Sequence, residues 1–457
     1  MINSFDASLK SNQKPFDLLI HNAVIVSCDD AHTLYPDGMI AVRDGKIVGI
    51  GHGSNNSSVS DGSLYQASRY IDAMGQVLMP GLINTHCHGG DSLFRGLVEG
   101  LPLEPWLEKL WIAESAILNP ETIELGSLLG LGENLLNGVT TVLDMFWEPA
   151  AIIRAGEALG LRVATGGLFF DPPGIDGATA DQREGLARTF FEEHKDHETL
   201  IPSVSVHGAY TVSPESIKTA LRVRDDFDAL ITIHAAETAM EQNIVHGQYG
   251  RRVIDHLNHC GLLGKNAVLA HCVHLDEGEM ELLAKSGTHV SHNSMSNLKL
   301  GSGIAPVPDL LKLGINVSLG TDGAVSGNDL DLWKALRLAG TLHNGFNQDA
   351  LAVSAKDALA MATLNGARAL GIAGEAGSLE IGKRADFIIV SNDQLHSVPI
   401  FDPIDHLVFA ASHKDVRDVY VAGKQVVKGG ELVNVDQGEI VEKVRALGPA
   451  IKATLEN

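Results

Sequence analysis

Two histidines one residue apart, His86 and His88, close a run that reads VLMPGLINTHCH. Side chains alternate along an extended strand, so both imidazoles project to one side, and Cys87 points to the other as packing. Two neutral imidazoles on one side can chelate one ion. In a chain with 20 histidines, H-x-H alone is a weak signal. It gains weight because His234 closes a later apolar run and Asp322 closes another. Three ring nitrogens and a carboxylate, with a position left for water, describe a catalytic metal site rather than a closed structural one. Glu237 follows His234 by three residues. A catalytic proton carrier must lie within hydrogen-bond reach of the substrate beside such an ion, and Glu237 is spaced for that. The alternative for Glu237 is a charge at a helix N-terminus. Binuclear sites of this kind often bridge their ions with a carboxylated lysine on the fourth strand. The fourth run, PSVSVH, has no lysine, so one ion per chain is expected.

The elements that must position these groups recur regularly. Eight short apolar runs alternate with helical patterns: VLMPGLINTH (77–86), VTTVLD (139–144), LRVATGG (161–167), PSVSVH (202–207), LITIH (230–234), AVLAH (267–271), THVSH (288–292) and NVSLGTD (316–322). Continuous apolar strands between helices imply a parallel sheet covered on both faces. Eight such units close into a (β/α)8 barrel, a TIM-like architecture whose active site lies at the strand C-termini. Seven of the runs end on His or Asp: His86, Asp144, His207, His234, His271, His292 and Asp322. One buried histidine is more often structural than a ligand; five at the same strand-end position are not explained that way.

The two ends have a different texture. Residues 17–50 and the segments 385–393 and 416–433 alternate apolar and polar residues around Asp-Gly and Gly-Gly turns, as hairpins do. We therefore expect a small composite β-sandwich domain from both ends, 1–78 and 375–457, flanking a barrel at 79–374. A last helix over about 438–454 is expected to cover surface.

Composition narrows the function classes. Fifty-seven acidic against 34 basic residues give a net charge of −23, which repels nucleic acid and anionic membranes. Cys28, Cys87, Cys260 and Cys272 are too few and too scattered for a disulfide scaffold. The N-terminus, MINSFDASLKSNQKPFD, lacks an apolar leader core, and no run reaches the ~18 apolar residues of a membrane span. A cytoplasmic protein is expected, and a homo-oligomer. The stretch Gly377-Ser-Leu-Glu-Ile-Gly382-Lys383-Arg384 approaches a phosphate-binding loop, but it ends in Arg and leads into a strand, so it reads as a turn. The absence of P-C-x-x-C argues against the cytidine-deaminase type of zinc site.

PGLINTHCHGG, HAAE, AHCVHLD, SHNSMSNLKLGSGIAPV and GTDGAVSGNDLDLW, with the late GSLEIGKRADFIIV, resemble the amidohydrolase superfamily. Within it they are similar to the branch of chlorohydrolases and aminohydrolases, which includes guanine deaminases, triazine hydrolases and methylthioadenosine/S-adenosylhomocysteine deaminases. The resemblance covers about residues 17–430. It implies that His86, His88, His234 and Asp322 hold the metal, usually zinc and sometimes iron. It also implies that Glu237 is the proton shuttle and that His271 orients the attacking water, with Asp322 taking part in catalysis. The activity implied is that of a zinc-dependent aminohydrolase, a deaminase acting on C–N bonds of cyclic amidines.

Three further positions resemble the adenosine-analogue deaminases. Trp106 would lie against the substrate, Glu114 would take the ribose hydroxyls, and His207 in VHGAYTVSPE would contact the purine. Without the resemblance they read as a core tryptophan, a solvated helix glutamate and a histidine at the barrel mouth. Gly208 and Ser294 stand where the family usually has proline. The third-strand loop, GGLFFDPPGIDGATADQ, has no basic residue for a homocysteine carboxylate. An adenosine-type nucleoside such as methylthioadenosine or 5′-deoxyadenosine is therefore expected as substrate. The alternative is a sugar-free ring: a triazine, guanine or a pterin. A non-catalytic interaction protein on the same fold would have lost ligands, and here all four are present.

Overall fold

The structure, a computed structural model, describes residues 15–53 and 65–456. The first fourteen residues, which hold most of the segment read above as lacking a leader, lie outside the described residues.

Each of the eight apolar runs supplies a parallel barrel strand, although the first, read as 77–86, divides: Val77–Pro80 pairs antiparallel with Phe387–Val390 in the other sheet, and only Leu82–His88 enters the barrel. In order the barrel strands are Leu82–His88, Val139–Asp144, Arg162–Thr165, Leu200–Gly208, Leu230–Ala235, Ala267–His271 and His289–His292, followed by an eighth in two pieces, Val317–Leu319 and Asp322–Gly323. The seventh strand pairs with the first piece, and the second piece pairs with the first strand, Asp322 opposite Cys87 and Gly323 opposite His88. The ring closes through that broken strand. The sequence suggested one continuous run over 316–322; the backbone instead steps sideways at Gly320. A Cβ there would stand 2.3 Å from Asn293 Oδ1 and 2.8 Å from the Cβ of His86, so only glycine fits this approach. The barrel interior is partly polar: the Thr85 hydroxyl lies 2.8 Å from those of both Ser291 and Ser318.

Two helices brace the barrel mouth. Helix Pro120–Leu136 is capped by Asn119, whose side chain accepts from the backbone N–H of Glu121 and Thr122 while Thr122 returns the bond. It lies so close to the 3-10 turn Gly89–Phe94 that a Cβ at Gly126 would meet Gly90 O at 2.3 Å. Helix Leu103–Ile117 buries Leu103, Trp106, Leu110, Ala113 and Glu114, three- and four-residue spacings that make one face.

The β-rich ends combine into one sheet with nine strands among the described residues. Strand Phe387–Val390 pairs antiparallel with Val77–Pro80, stitching the C-terminal strands to the N-terminal ones. Its own core includes Ile20, Ile40 and the stacked rings of Phe387 and Tyr420. A buried ion pair ties this sheet to the barrel: Arg162 on the third strand donates to Asp386 at 2.6 Å. Helix Gln437–Ala453 buries only Ile440 and Ile451 and packs on helix Pro120–Leu136, matching its reading as cover. Among the described residues, no helix is long and apolar enough to cross a membrane.

Candidate metal centre and substrate cavity

The C-terminal strand ends bring His86, His88, His234, His271 and Asp322 together. His88 and His234 each direct Nδ1 at a backbone carbonyl, of Met145 at 2.5 Å and of His207 at 2.7 Å. A carbonyl can only accept, so both rings carry a proton on Nδ1 and turn Nε2, the nitrogen that would face an ion, inward. These two Nε2 atoms are 3.3 Å apart. Asp322 Oδ1 lies 3.1 Å from Nε2 of His88 and 3.4 Å from Nε2 of His86. His86 is fully buried, and neither of its ring nitrogens has a hydrogen-bond partner. A buried polar atom left bare costs about 1–3 kcal/mol, so these nitrogens call for a partner the protein chain does not supply. Candidate ligand atoms of His86, His88 and His234 lie within 4.8 Å of one another, as do those of His86, His271 and Asp322. Imidazole nitrogens with one carboxylate oxygen suit zinc. Burial opposes ionisation of Asp322, but the adjoining His86 and His88 rings outweigh it and hold the carboxyl well below the usual range.

The backbone here is unusual. Ala236, His271 and Asp322 have φ of 53°, 75° and 64°. Non-glycine residues in the left-handed region cost about 1–3 kcal/mol each and persist where the surroundings force them. Ala236 turns the chain so that Glu237, two residues past the fifth strand's His234–Ala235 end, faces the cavity. Glu237 Oε2 is 3.7 Å from His271 Nε2, and Ser302 donates to Glu237 Oε1 at 3.2 Å. Burial raises the Glu237 pKa, so the acid form persists to higher pH than in water.

A cavity opens above this cluster, and Trp106, Glu114 and His207 all line it. The Trp106 indole donates to Val98 O at 3.2 Å, which sets the ring plane. Glu114 is not a solvated helix residue: it is 3% exposed, and burial followed by the charge of Asp91 raises its carboxyl to about 8. Burial lowers His207 to about 3, so the ring is neutral, with Nδ1 2.8 Å from the Thr211 hydroxyl.

Several lining groups escaped the sequence. Asp91 follows the H-x-H pair by three residues and is buried beside His88, raised to about 8 by burial. Trp111, Trp147 and Phe170 form an aromatic wall with His207. Phe170 is 5.1 Å from the His207 ring and 5.6 Å from Trp147, and Trp111 is 6.0 Å from Phe170. Trp111, four residues after Leu107 and three before Glu114 on one amphipathic helix, was the available signal. No lysine or arginine is among the described residues lining the cavity. Arg183, the residue directly after the loop read as lacking basic groups, does bend back towards this wall. Its guanidinium pairs with Asp176 at 2.5 and 2.9 Å and lies 5.4 Å over the Trp147 ring. The charge is thus used to hold the loop.

Comparisons with known proteins agree with this geometry. A family model described as the amidohydrolase family matches residues 77–426. A 5-methylthioadenosine/S-adenosylhomocysteine deaminase of Syntrophobacter fumaroxidans is 36% identical over 95% of this chain and 98% of its own. A 5′-deoxyadenosine deaminase of Methanothermobacter thermautotrophicus is 38% identical over 90% of this chain and 93% of its own. Among solved structures, a zinc-bound adenosine deaminase from Xanthomonas campestris superposes with a TM-score of 0.92 at 31% identity, covering 97% of this chain and all of that one. A zinc complex of an atrazine chlorohydrolase from Arthrobacter aurescens superposes with a TM-score of 0.86 at 26% identity, over 94% of this chain and all of that one.

Proposed function

The chain belongs to the amidohydrolase family, and we propose that it hydrolytically deaminates an adenosine-type nucleoside carrying an uncharged 5′ group. The observation that carries this reading is the cavity itself. It holds a buried carboxyl, Glu114, and an aromatic wall without a facing cation. A sugar gives such a carboxyl two hydroxyl partners; a bare ring leaves it without one. The aromatic end suits a methyl or methylthio group, whose sulfur packs favourably on aromatic rings. It has nothing to neutralise the carboxylate of S-adenosylhomocysteine, because Arg183 is already paired with Asp176.

His86, His88, His234 and Asp322 would hold one zinc ion. When bound, the ion supplies Lewis acidity that brings the ionisation of water towards neutral pH. The protein groups carry the remaining proton chemistry. Trp106 and the neutral His207 position the ring. Glu237, whose acid form burial favours, gives its proton to the ring nitrogen beside the amino-bearing carbon and makes that carbon electrophilic. His271 aims the attacking water, and Asp322 takes the proton that water loses. The oxygen adds to the carbon to give a tetrahedral centre. Asp322 passes its proton to the amine, the C–N bond breaks and ammonia leaves. The new hydroxyl returns a proton to Glu237 as the carbonyl forms.

An ammonia-release screen of the zinc-loaded protein tests this. Methylthioadenosine and 5′-deoxyadenosine should turn over, with S-adenosylhomocysteine poorer than methylthioadenosine. If adenosine analogues are inert while guanine, a pterin or a triazine is hydrolysed, the nucleoside reading fails.

A further inference from the structure

The same tautomer logic that applies to His88 and His234 applies to His271, with one difference. Their Nδ1 partners are backbone carbonyls, whereas the Nδ1 of His271 lies 2.8 Å from a side chain, Oδ1 of Asn297. Asn297 is 1% exposed, on the short helix Ser294–Lys299 that follows the seventh strand. We propose that Asn297 is a positioning residue: it holds the proton of His271 on Nδ1 and so presents a bare Nε2 towards Glu237 and Asp322. This rests on the deaminase reading for its catalytic consequence, though not for the tautomer itself.

Three observations support it. The amide oxygen facing Nδ1 accepts a full-strength hydrogen bond at 2.8 Å. On the other side of the ring, Nε2 is 3.7 Å from Glu237 Oε2, too far to share a proton directly. The proton is therefore better placed on Nδ1. The opposite amide orientation would put the proton on Nε2 and turn His271 into a donor, unable to accept from a water between itself and Glu237. Finally, Asn297 is anchored into the same turn that orients Glu237. Its backbone carbonyl accepts from the N–H of Ser302 at 2.9 Å, and the Ser302 hydroxyl is the group that donates to Glu237. One loop therefore sets both groups that face the attacking water.

The test reads tautomer and kinetics separately. Long-range 1H–15N spectra of the full chain labelled at histidine, before and after zinc loading, report which ring nitrogen is protonated, with His271→Gln assigning the signal. His271 should be the Nδ1–H tautomer in both states. A wild-type Nε2–H signal overturns the proposal and needs no Asn297 variant to fold. With a substrate in hand, Asn297→Leu should lower kcat by about 10- to 100-fold with KM changed by less than about threefold and zinc content retained. Asn297→Asp, which keeps the acceptor oxygen, should restore most of kcat. An unchanged kcat in Asn297→Leu, or equal losses in both variants, also overturns it. If no nucleoside turns over at all, the deaminase reading has failed while the tautomer result still stands or falls alone.

Discussion

The chemistry at residue scale depends on two carboxyls whose acid forms burial favours, for different ends. Glu237 is proposed as a proton carrier beside the metal ligands, not as one of them. Glu237→Gln should keep the metal and bind substrate while kcat falls at least about 10²-fold. Loss of zinc from that variant, measured by elemental analysis, would make Glu237 a ligand and sink the mechanism. Glu114 makes a prediction in pH. Its carboxyl rises from an ordinary 4.5 to about 8 in the folded chain, mainly through burial. The native state therefore holds a proton that the unfolded chain has already lost. The contribution of Glu114 to stability is fully present below 4.5 and is lost as pH climbs to about 8. Glu114→Gln cannot ionise, so in the metal-free protein its Tm relative to wild type should rise steadily across that window. A constant Tm difference between pH 5 and 8 would show that the carboxyl titrates normally.

Elements matter where one backbone must pass another. The eighth strand reaches the metal cluster only by stepping sideways at Gly320, against the Cβ of His86 and the side chain of Asn293. Gly320→Ala would force those neighbours apart, at a cost of about 1–3 kcal/mol for overpacking a closed interior. Because His86 is one of the displaced groups, zinc content should drop below the one equivalent expected of the wild type. Urea unfolding and metal analysis of the same preparation check both effects. Full stability with full zinc would mean the strand can relax elsewhere. The helix Leu103–Ile117, which carries Trp106 and Glu114, is likewise tied to the loop of Glu237, since Thr238, the next residue, donates to Glu104 at 2.9 Å.

On the scale of the whole molecule, the barrel and the composite sheet are joined by a charge pair that neither could leave unpaired. Arg162 and Asp386 have side chains only 5% and 2% exposed, and Asp386 also accepts from the N–H of Ala422. Removing one member strands the other in a low-dielectric interior, a change that costs about 3–5 kcal/mol. Asp386→Ala should lower the urea midpoint accordingly. A midpoint equal to wild type would place the pair in better contact with solvent than its burial implies. A second, less buried charge pair, Arg183 with Asp176, ties the third-strand loop to the aromatic wall at Trp147.

Which residues share a strand end was legible in the chain itself. Apolar runs closed by His86, His207, His234, His271 and Asp322 imply a barrel mouth, because strand period and strand length are local properties that spacing records. The composite sheet was legible for the same reason, from alternation at both ends. Burial and partner choice were not. Glu114 looks like any glutamate on an amphipathic helix until that helix folds over the mouth. Arg183 stands one residue past a loop that has no basic residue, and only packing shows it turned onto Asp176 and Trp147. The break at Gly320 depends on how close His86, 234 positions earlier, comes to rest. The proton on His271 depends on an amide 26 residues away. Such contacts join groups distant in sequence, and their energies depend on desolvation and distance, which exist only once the chain has closed on itself.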